Sequence, residues 1–268
     1  MIEKKVLPFL KWAGGKRWLT NNLLQYLPNT YNRYFEPFLG SGAVFFSLQP
    51  KQAVLSDVNH PLIKTYNAIK EDYKMVNNLL IQHSERHSNE YYYEIRDTDY
   101  SDQFQQAARF IYLNRTCFNA IYRVNKNGKF NVPRGSKNNV ILDSDDFESV
   151  SRCLKSADIK HSDFECIIGQ AMAGDLIYVD PPYTVKHNNN GFVKYNEKMF
   201  TWQDQERLSV SLFEAQKRGA HIVMSNADHA SIRELYSNNS KITALQRSSV
   251  IASDPINRGQ YSELIISI

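Results

Sequence analysis

The chain has little cysteine. Cys117, Cys153 and Cys166 are odd in number and far apart, which fits neither a disulfide framework nor a zinc site. Reduced thiols are expected. No apolar run approaches the roughly 20 residues that a membrane helix needs, so no membrane partner is expected. The N-terminal stretch MIEKKVLPFLKWAGGK holds only a short apolar segment broken by Pro8, so no secretory signal is expected and the cytoplasm is the default location. No internal repeat is visible. His83 and His87 stand at helical spacing, but HSERH offers no third ligand, and no metal is expected. Acidic residues are absent between Arg115 and Lys137, where Arg115, Arg123, Lys126, Lys129, Arg134 and Lys137 fall together. Net charge is only +4 over 268 residues. That local basic excess, beside Asn, Gly and aromatics, suits a DNA-contacting surface as well as a solvated face.

What the sequence does have is alternation. Short apolar runs at 34–37, 53–56, 158–161, 176–179, 221–224, 242–250 and 264–268 predict seven strands. Amphipathic stretches at 17–27, 43–48, 61–78, 102–113, 204–217 and 229–236 predict helices. Strands alternating with helices imply an α/β fold with a mostly parallel sheet covered on both faces. The last two strands are joined by SDPINRGQ, too short for a helix, and should pair as an antiparallel hairpin at one edge. The alternation breaks over 61–157. This stretch reads as an inserted, mainly helical domain with a basic β-hairpin at 122–132, turned by Asn125-Lys126-Asn127-Gly128. Residues 1–60 and 158–268 would then form the catalytic domain. Asn188-Asn189-Asn190-Gly191 reads as a mobile loop.

Two motifs carry chemistry. In YFEPFLGSGAVF, a strand enters Gly40-Ser41-Gly42 and a helix pattern begins at Ala43, which lets a ligand approach the backbone. Phe45 stands where the dinucleotide fingerprint wants a third Gly, so that match is partial. The next strand ends on Asp57, at a spacing suited to a ribose hydroxyl, although an Asp there can also cap a helix. Ala13-Gly14-Gly15-Lys16 is not a nucleotide phosphate loop, because Arg17 and Leu10 stand where Ser/Thr and the first Gly belong. The second motif is Asp180-Pro181-Pro182-Tyr183, directly after the buried run Leu176-Ile177-Tyr178-Val179. The prolines stop the strand. The Asp180 carboxylate and the Pro181 carbonyl then make two rigid acceptors for the two N–H groups of an aromatic amine, and Tyr183 offers a face for a base.

Asp180-Pro181-Pro182-Tyr183, FLKWAGGK at 9–16 and FEPFLGSGAVF at 35–45, in that order around the insert, resemble the Dam-type DNA adenine-N6 methyltransferases of the alpha class. The resemblance spans nearly the whole chain. It implies a Rossmann-like methyltransferase fold, S-adenosylmethionine as methyl donor, and direct transfer to N6 of an adenine flipped out of duplex DNA. By that likeness Trp12, Lys16, Glu36, Phe38, Gly40, Gly42, Asp57, Asp163, Phe164 and Asp180 are the cofactor contacts, and Asp180, Pro181, Pro182 and Tyr183 the catalytic segment. Read from the residues alone, Asp163 can equally cap a helix at Phe164. NRTCFNAIYRVNKNGKFNVP at 114–133 resembles the family's recognition hairpin. Arg123 and Pro133 then stand as base contacts, with Arg115, Lys126 and Lys129 on phosphates and Arg134 and Lys137 on the same DNA-binding surface.

The likeness has one departure. After Phe-Asn-Val-Pro the family pattern has an aromatic, Gly and Arg, whereas this chain has Arg134-Gly135-Ser136-Lys137. A GATC-like target is implied by the resemblance, and this departure bears on the arginine that would read guanine. Cytosine-N4 or RNA-adenine methylation and a catalytically silent DNA-binding regulator are the competing readings. Intact motifs argue against silence, and Asp180 argues against cytosine. A monomer is expected, with a cognate restriction endonuclease as a candidate partner.

Overall fold

The computed structural model describes residues 6–186, 200–248 and 260–268. Its seven strands are β1 (Tyr34–Glu36), β2 (Ala53–Asp57), β3 (Ala157–His161), β4 (Leu176–Val179), β5 (His221–Ala227), β6 (Lys241–Ser248) and β7 (Gln260–Ser267). They form one sheet in the order β3-β2-β1-β4-β5-β7-β6. The pairs β2–β3, β1–β4 and β4–β5 are parallel, and β7 runs antiparallel to both β5 and β6. The mostly parallel sheet and the antiparallel edge pair follow the alternation in the sequence. β4 is buried along its length, as a central strand covered on both faces must be. The segment 188–191, read as a mobile loop, and the whole β6–β7 connection lie outside the described residues.

Contacts group the chain into two compact units, Met1–Asn22 with Leu39–His161, and Leu23–Phe38 with Ser162–Ile268. The 61–157 segment lies wholly in the first. There, α3 (His60–Glu85) packs along α5 (Gln103–Thr116) and α6 (Phe147–Leu154), and rests on β2 and β3. α3 starts where Asn59 accepts a hydrogen bond from the Leu62 amide and Pro61 fits the first turn. It outruns the predicted 61–78 but breaks at Asp72, whose φ is −143°. The Asp72 carboxylate accepts from the Lys74 and Met75 amides, so it caps a second helical segment. α4 (Asn89–Asp97) and α6 were not expected, and α7 (Phe164–Ile168) is the helix that Asp163 could cap; each is short and begins on a side-chain cap, from Ser88, Asp146 and Asp163. The predicted helix at 17–27 shrinks to α1 (Thr20–Leu23) and a 3₁₀ turn at Leu24–Tyr26. Two Asn and the approaching Pro28 leave it little helical preference.

In the first unit α2 (Ala43–Leu48) follows the glycine loop, and the α-helices among the described residues of the second unit include α7, α8 (Trp202–Lys217) and α9 (Ala230–Leu235). α8 opens on a capping box in which Thr201 and Asp204 satisfy each other's amides.

Candidate active site

In the first unit the glycine loop is fixed from three sides. Gly40 and Gly42 hold φ of +47° and +64°, which L side chains rarely adopt. The Gly40 amide donates to Asp57 Oδ2 at 3.0 Å, and the Tyr66 hydroxyl donates to the Gly40 carbonyl at 3.0 Å. Trp12 lies so close that a Cβ on Gly40 would sit 2.9 Å from its ring. Asp57 thus braces the loop, and its second oxygen accepts from the Asn59 amide at 2.9 Å. Burial pushes its carboxyl up, against the pull of those backbone donors. Lys16 is buried.

The Trp-Ala-Gly-Gly-Lys segment is strapped to the end of α5. Asn114 accepts from the Lys11 amide at 2.9 Å and donates to the Lys11 carbonyl at 2.7 Å. Arg115 donates to the Phe9 carbonyl at 2.8 Å. The same guanidinium grips both oxygens of Asp145 at 2.7 Å and has no exposed side-chain surface. This corrects the expectation that Arg115 touches DNA phosphate. It is an interior strut, and Asn114 is its companion, which the sequence reading missed.

The other DNA-binding candidates lie at the surface. Arg123, Lys126, Lys129, Pro133 and Lys137 are exposed and Arg134 is half-buried. Exposed Phe118, Ile121 and Val124 interleave with them. The expected hairpin at 122–132 is real but minimal, a single Val124–Phe130 bridge closed by a turn in which the Gly128 amide donates to the Asn125 carbonyl at 2.9 Å. Arg123 is braced by Asn131 at 3.0 Å, and Lys129 lies 3.5 Å from Asp99. At the base, Cys117 bridges Arg134, and Gly135 passes so close that a Cβ there would meet the Cys117 carbonyl oxygen at 2.6 Å.

In the second unit the ends of β1, β4, β5 and β7 carry a row of polar side chains. Tyr34 is fully buried and donates to Glu36 at 2.7 Å. Asp180 leaves β4 half-buried and accepts from Ser225 at 2.8 Å, and Ser225 also meets the Tyr178 hydroxyl at 3.1 Å. Tyr183 donates to Glu263 on β7 at 3.0 Å. Burial first, then the neighbouring carboxylates, drive the Tyr178 and Tyr183 phenols well up, so both stay neutral donors. Pro181 is buried, which leaves that turn little freedom. Phe38 stacks on Phe164 with centroids 5.4 Å apart, and Phe200 meets Phe38 edge-on. Asp163 caps α7 through the Glu165 amide at 2.9 Å, and both of its oxygens accept from Arg207. The capping alternative for Asp163 is therefore realised, whatever else it binds.

Residues 12–251 match the model of the D12 class N6 adenine-specific DNA methyltransferases. The chain belongs to that family. It is 36% identical, over 97% of its length and 94% of the relative's, to the Type II methyltransferase M1.LlaDCHI of Lactococcus lactis. It is 32% identical to the DNA adenine methylase of Haemophilus influenzae, over 96% of this chain and 92% of that one. The methyltransferase acts on N6 of adenine in DNA with S-adenosylmethionine as donor, so the adenine reading stands over cytosine-N4 and RNA. The residues fit that donor. In the first unit the loop is too tight for a Cβ, and in the second the half-buried Phe38 ring, backed by buried Phe164, and buried Glu36 are groups that suit an adenosine or a sulfonium. Among the described residues no helix is long and apolar enough to cross a membrane.

Proposed function

We propose that this methyltransferase presents its target adenine on Asp180, Pro181, Pro182 and Tyr183. The observation that carries the reading is the anchoring of both functional side chains of a proline-stiffened turn, Asp180 by Ser225 and Tyr183 by Glu263. Asp180 and the Pro181 carbonyl accept the two amino hydrogens of the flipped base, which favours a localised lone pair on N6. Tyr183 lies under the base, its hydroxyl turned to Glu263. S-adenosylmethionine, when bound, supplies an electrophilic methyl group on a positively charged sulfur. Trp12, Lys16, Gly40, Gly42 and Asp57 are the first unit's cofactor contacts, and Glu36, Phe38, Asp163, Phe164 and Asp180 the second's. Negative charge on Glu36, Asp57 and Asp180 favours the sulfonium.

The 61–157 segment works as the DNA-recognition domain. Arg123 and Pro133 contact bases; Lys126, Lys129, Arg134 and Lys137 contact the backbone. The protein works as a monomer in the cytoplasm, and its likeness to a Type II methyltransferase supports a restriction endonuclease as its cognate partner. Single-molecule sequencing of DNA from cells expressing the protein tests the whole reading. N6-methyladenine is expected in one sequence context, a GATC-like one if the recognition likeness extends to the target. The Asp180→Ala variant should bind DNA but leave it unmodified, and undiminished modification by that variant would refute the role of Asp180.

A further inference from the structure

The prolines of Asp180-Pro181-Pro182-Tyr183 restrain the backbone, but they leave the side-chain torsions of Asp180 and Tyr183 unset. Something else must hold a carboxylate plane and an aromatic ring in place. The strand register shows what does. Tyr178 pairs with Val223, and Ala227 pairs with Glu263. Paired residues share a face and alternate residues return to it, so Tyr178, Ser225 and Glu263 all lie on one face of the sheet. Val179 pairs with Met224, which brings Asp180 level with Ser225 as the chain leaves β4.

The hydrogen bonds on that face have a fixed direction. A carboxylate only accepts, so the Ser225 hydroxyl gives its proton to Asp180 at 2.8 Å. Its oxygen is then left to accept, and the Tyr178 hydroxyl at 3.1 Å is the donor. Ser225 has no exposed surface and Tyr178 almost none, so water does not compete. On the neighbouring strand, buried Glu263 accepts from Tyr183 at 3.0 Å. Each side chain of the turn thus has one buried anchor from a strand other than β4.

We propose that Ser225 and Glu263 are positioning residues for methyl transfer, Ser225, backed by Tyr178, orienting the Asp180 carboxylate and Glu263 orienting the Tyr183 ring. The proposal rests on the role given to Asp180 above. A charge-assisted hydrogen bond that fixes a reacting group acts on the chemical step more than on binding.

The test compares Ser225→Ala, Ser225→Thr, Tyr178→Phe, Glu263→Leu, Glu263→Gln and Asp180→Ala on unmethylated plasmid DNA. The readouts are single-turnover rate, steady-state kcat and KM for S-adenosylmethionine, DNA affinity and melting temperature. Ser225→Ala should lower kcat about 10- to 100-fold, from the loss of one hydrogen bond to a charged group. Both KM and DNA affinity should stay within about 3-fold, since binding groups are untouched. Ser225→Thr should recover most of the rate, and Glu263→Gln most of what Glu263→Leu loses. Tyr178→Phe keeps the ring volume and removes one oxygen, so it carries the test if Ser225→Ala folds poorly. Parental kcat in Ser225→Ala, Tyr178→Phe and Glu263→Leu, with Asp180→Ala inactive, overturns this proposal alone. Turnover by Asp180→Ala overturns the reading of Asp180 and this proposal with it.

Discussion

Gly40→Ala probes the tightest point of the glycine loop, the proposed cofactor contact. A side chain at φ +47° costs about 1–2 kcal/mol of backbone strain. The added Cβ would also lie 2.9 Å from Trp12 Cδ1 and 3.1 Å from its Nε1. The indole has little room to retreat, because it stacks against Phe110 and Tyr122 with centroids 6.4 and 6.0 Å away. Overpacking of this kind adds about 1–3 kcal/mol. The expected total is about 2–5 kcal/mol, with weakened S-adenosylmethionine binding. Gly14→Ala is the comparison: φ is +77°, but nothing lies within 4 Å of its Cβ, so only the strain applies. The two variants should differ by about 1–3 kcal/mol, and at a few degrees per kcal/mol their melting temperatures separate measurably. Circular dichroism gives the melting temperatures and calorimetry the ligand affinity. Equal losses in the two variants would show that Trp12 yields without penalty, and the description of a loop closed by that ring would be wrong.

Arg115→Met should destabilise the protein by about 3 kcal/mol, because it removes the buried partner of the half-buried Asp145 carboxylate, leaving it the Leu142 amide. Denaturant unfolding measures this, and a stable variant with a reduced salt slope for DNA binding would restore Arg115 to the DNA surface. Lys126→Ala should weaken DNA binding alike on all sequences and reduce the slope of log K against log salt by about 0.9; a changed modification context would mean that it reads bases. His83 is held neutral by burial, with Arg86 and Arg109 adding to the effect, and its pKa falls to about 4. Its folded value lies below the unfolded one of about 6.5, so the unfolded chain binds the proton first. Stability should therefore fall as pH drops from about 6.5 towards 4, and a His83→Gln variant should show a flatter profile in melts across that window.

The elements most legible in the sequence were those whose signal is local. β4 shows because four buried apolar residues run towards two prolines, and Gly40-Ser41-Gly42 because its glycines hold torsions that other residues rarely adopt. The long-range partners were not legible. A basic residue in a basic stretch reads as surface, and nothing near Arg115 announces that Asp145, thirty residues on, will meet it inside the protein. Ser225 and Glu263 sit in ordinary strand patterns, and only the register brings them to Asp180 and Tyr183. α4 escaped notice because three adjacent tyrosines blur a helical period, although Ser88 marks its start.

The crossing of Cys117–Phe118 with Pro133–Gly135 has an evolutionary corollary. The Phe118 amide donates to the Pro133 carbonyl at 2.9 Å and the Gly135 amide to the Thr116 carbonyl at 2.8 Å. Both fastenings are main-chain bonds, indifferent to what the intervening tip carries. A foreign tip grafted between them would inherit the same stem, so, with this hairpin reading DNA as proposed, target preference could drift by swapping a cassette. Gly135 itself is the toll on that freedom: no larger residue fits where the two strands of the stem cross.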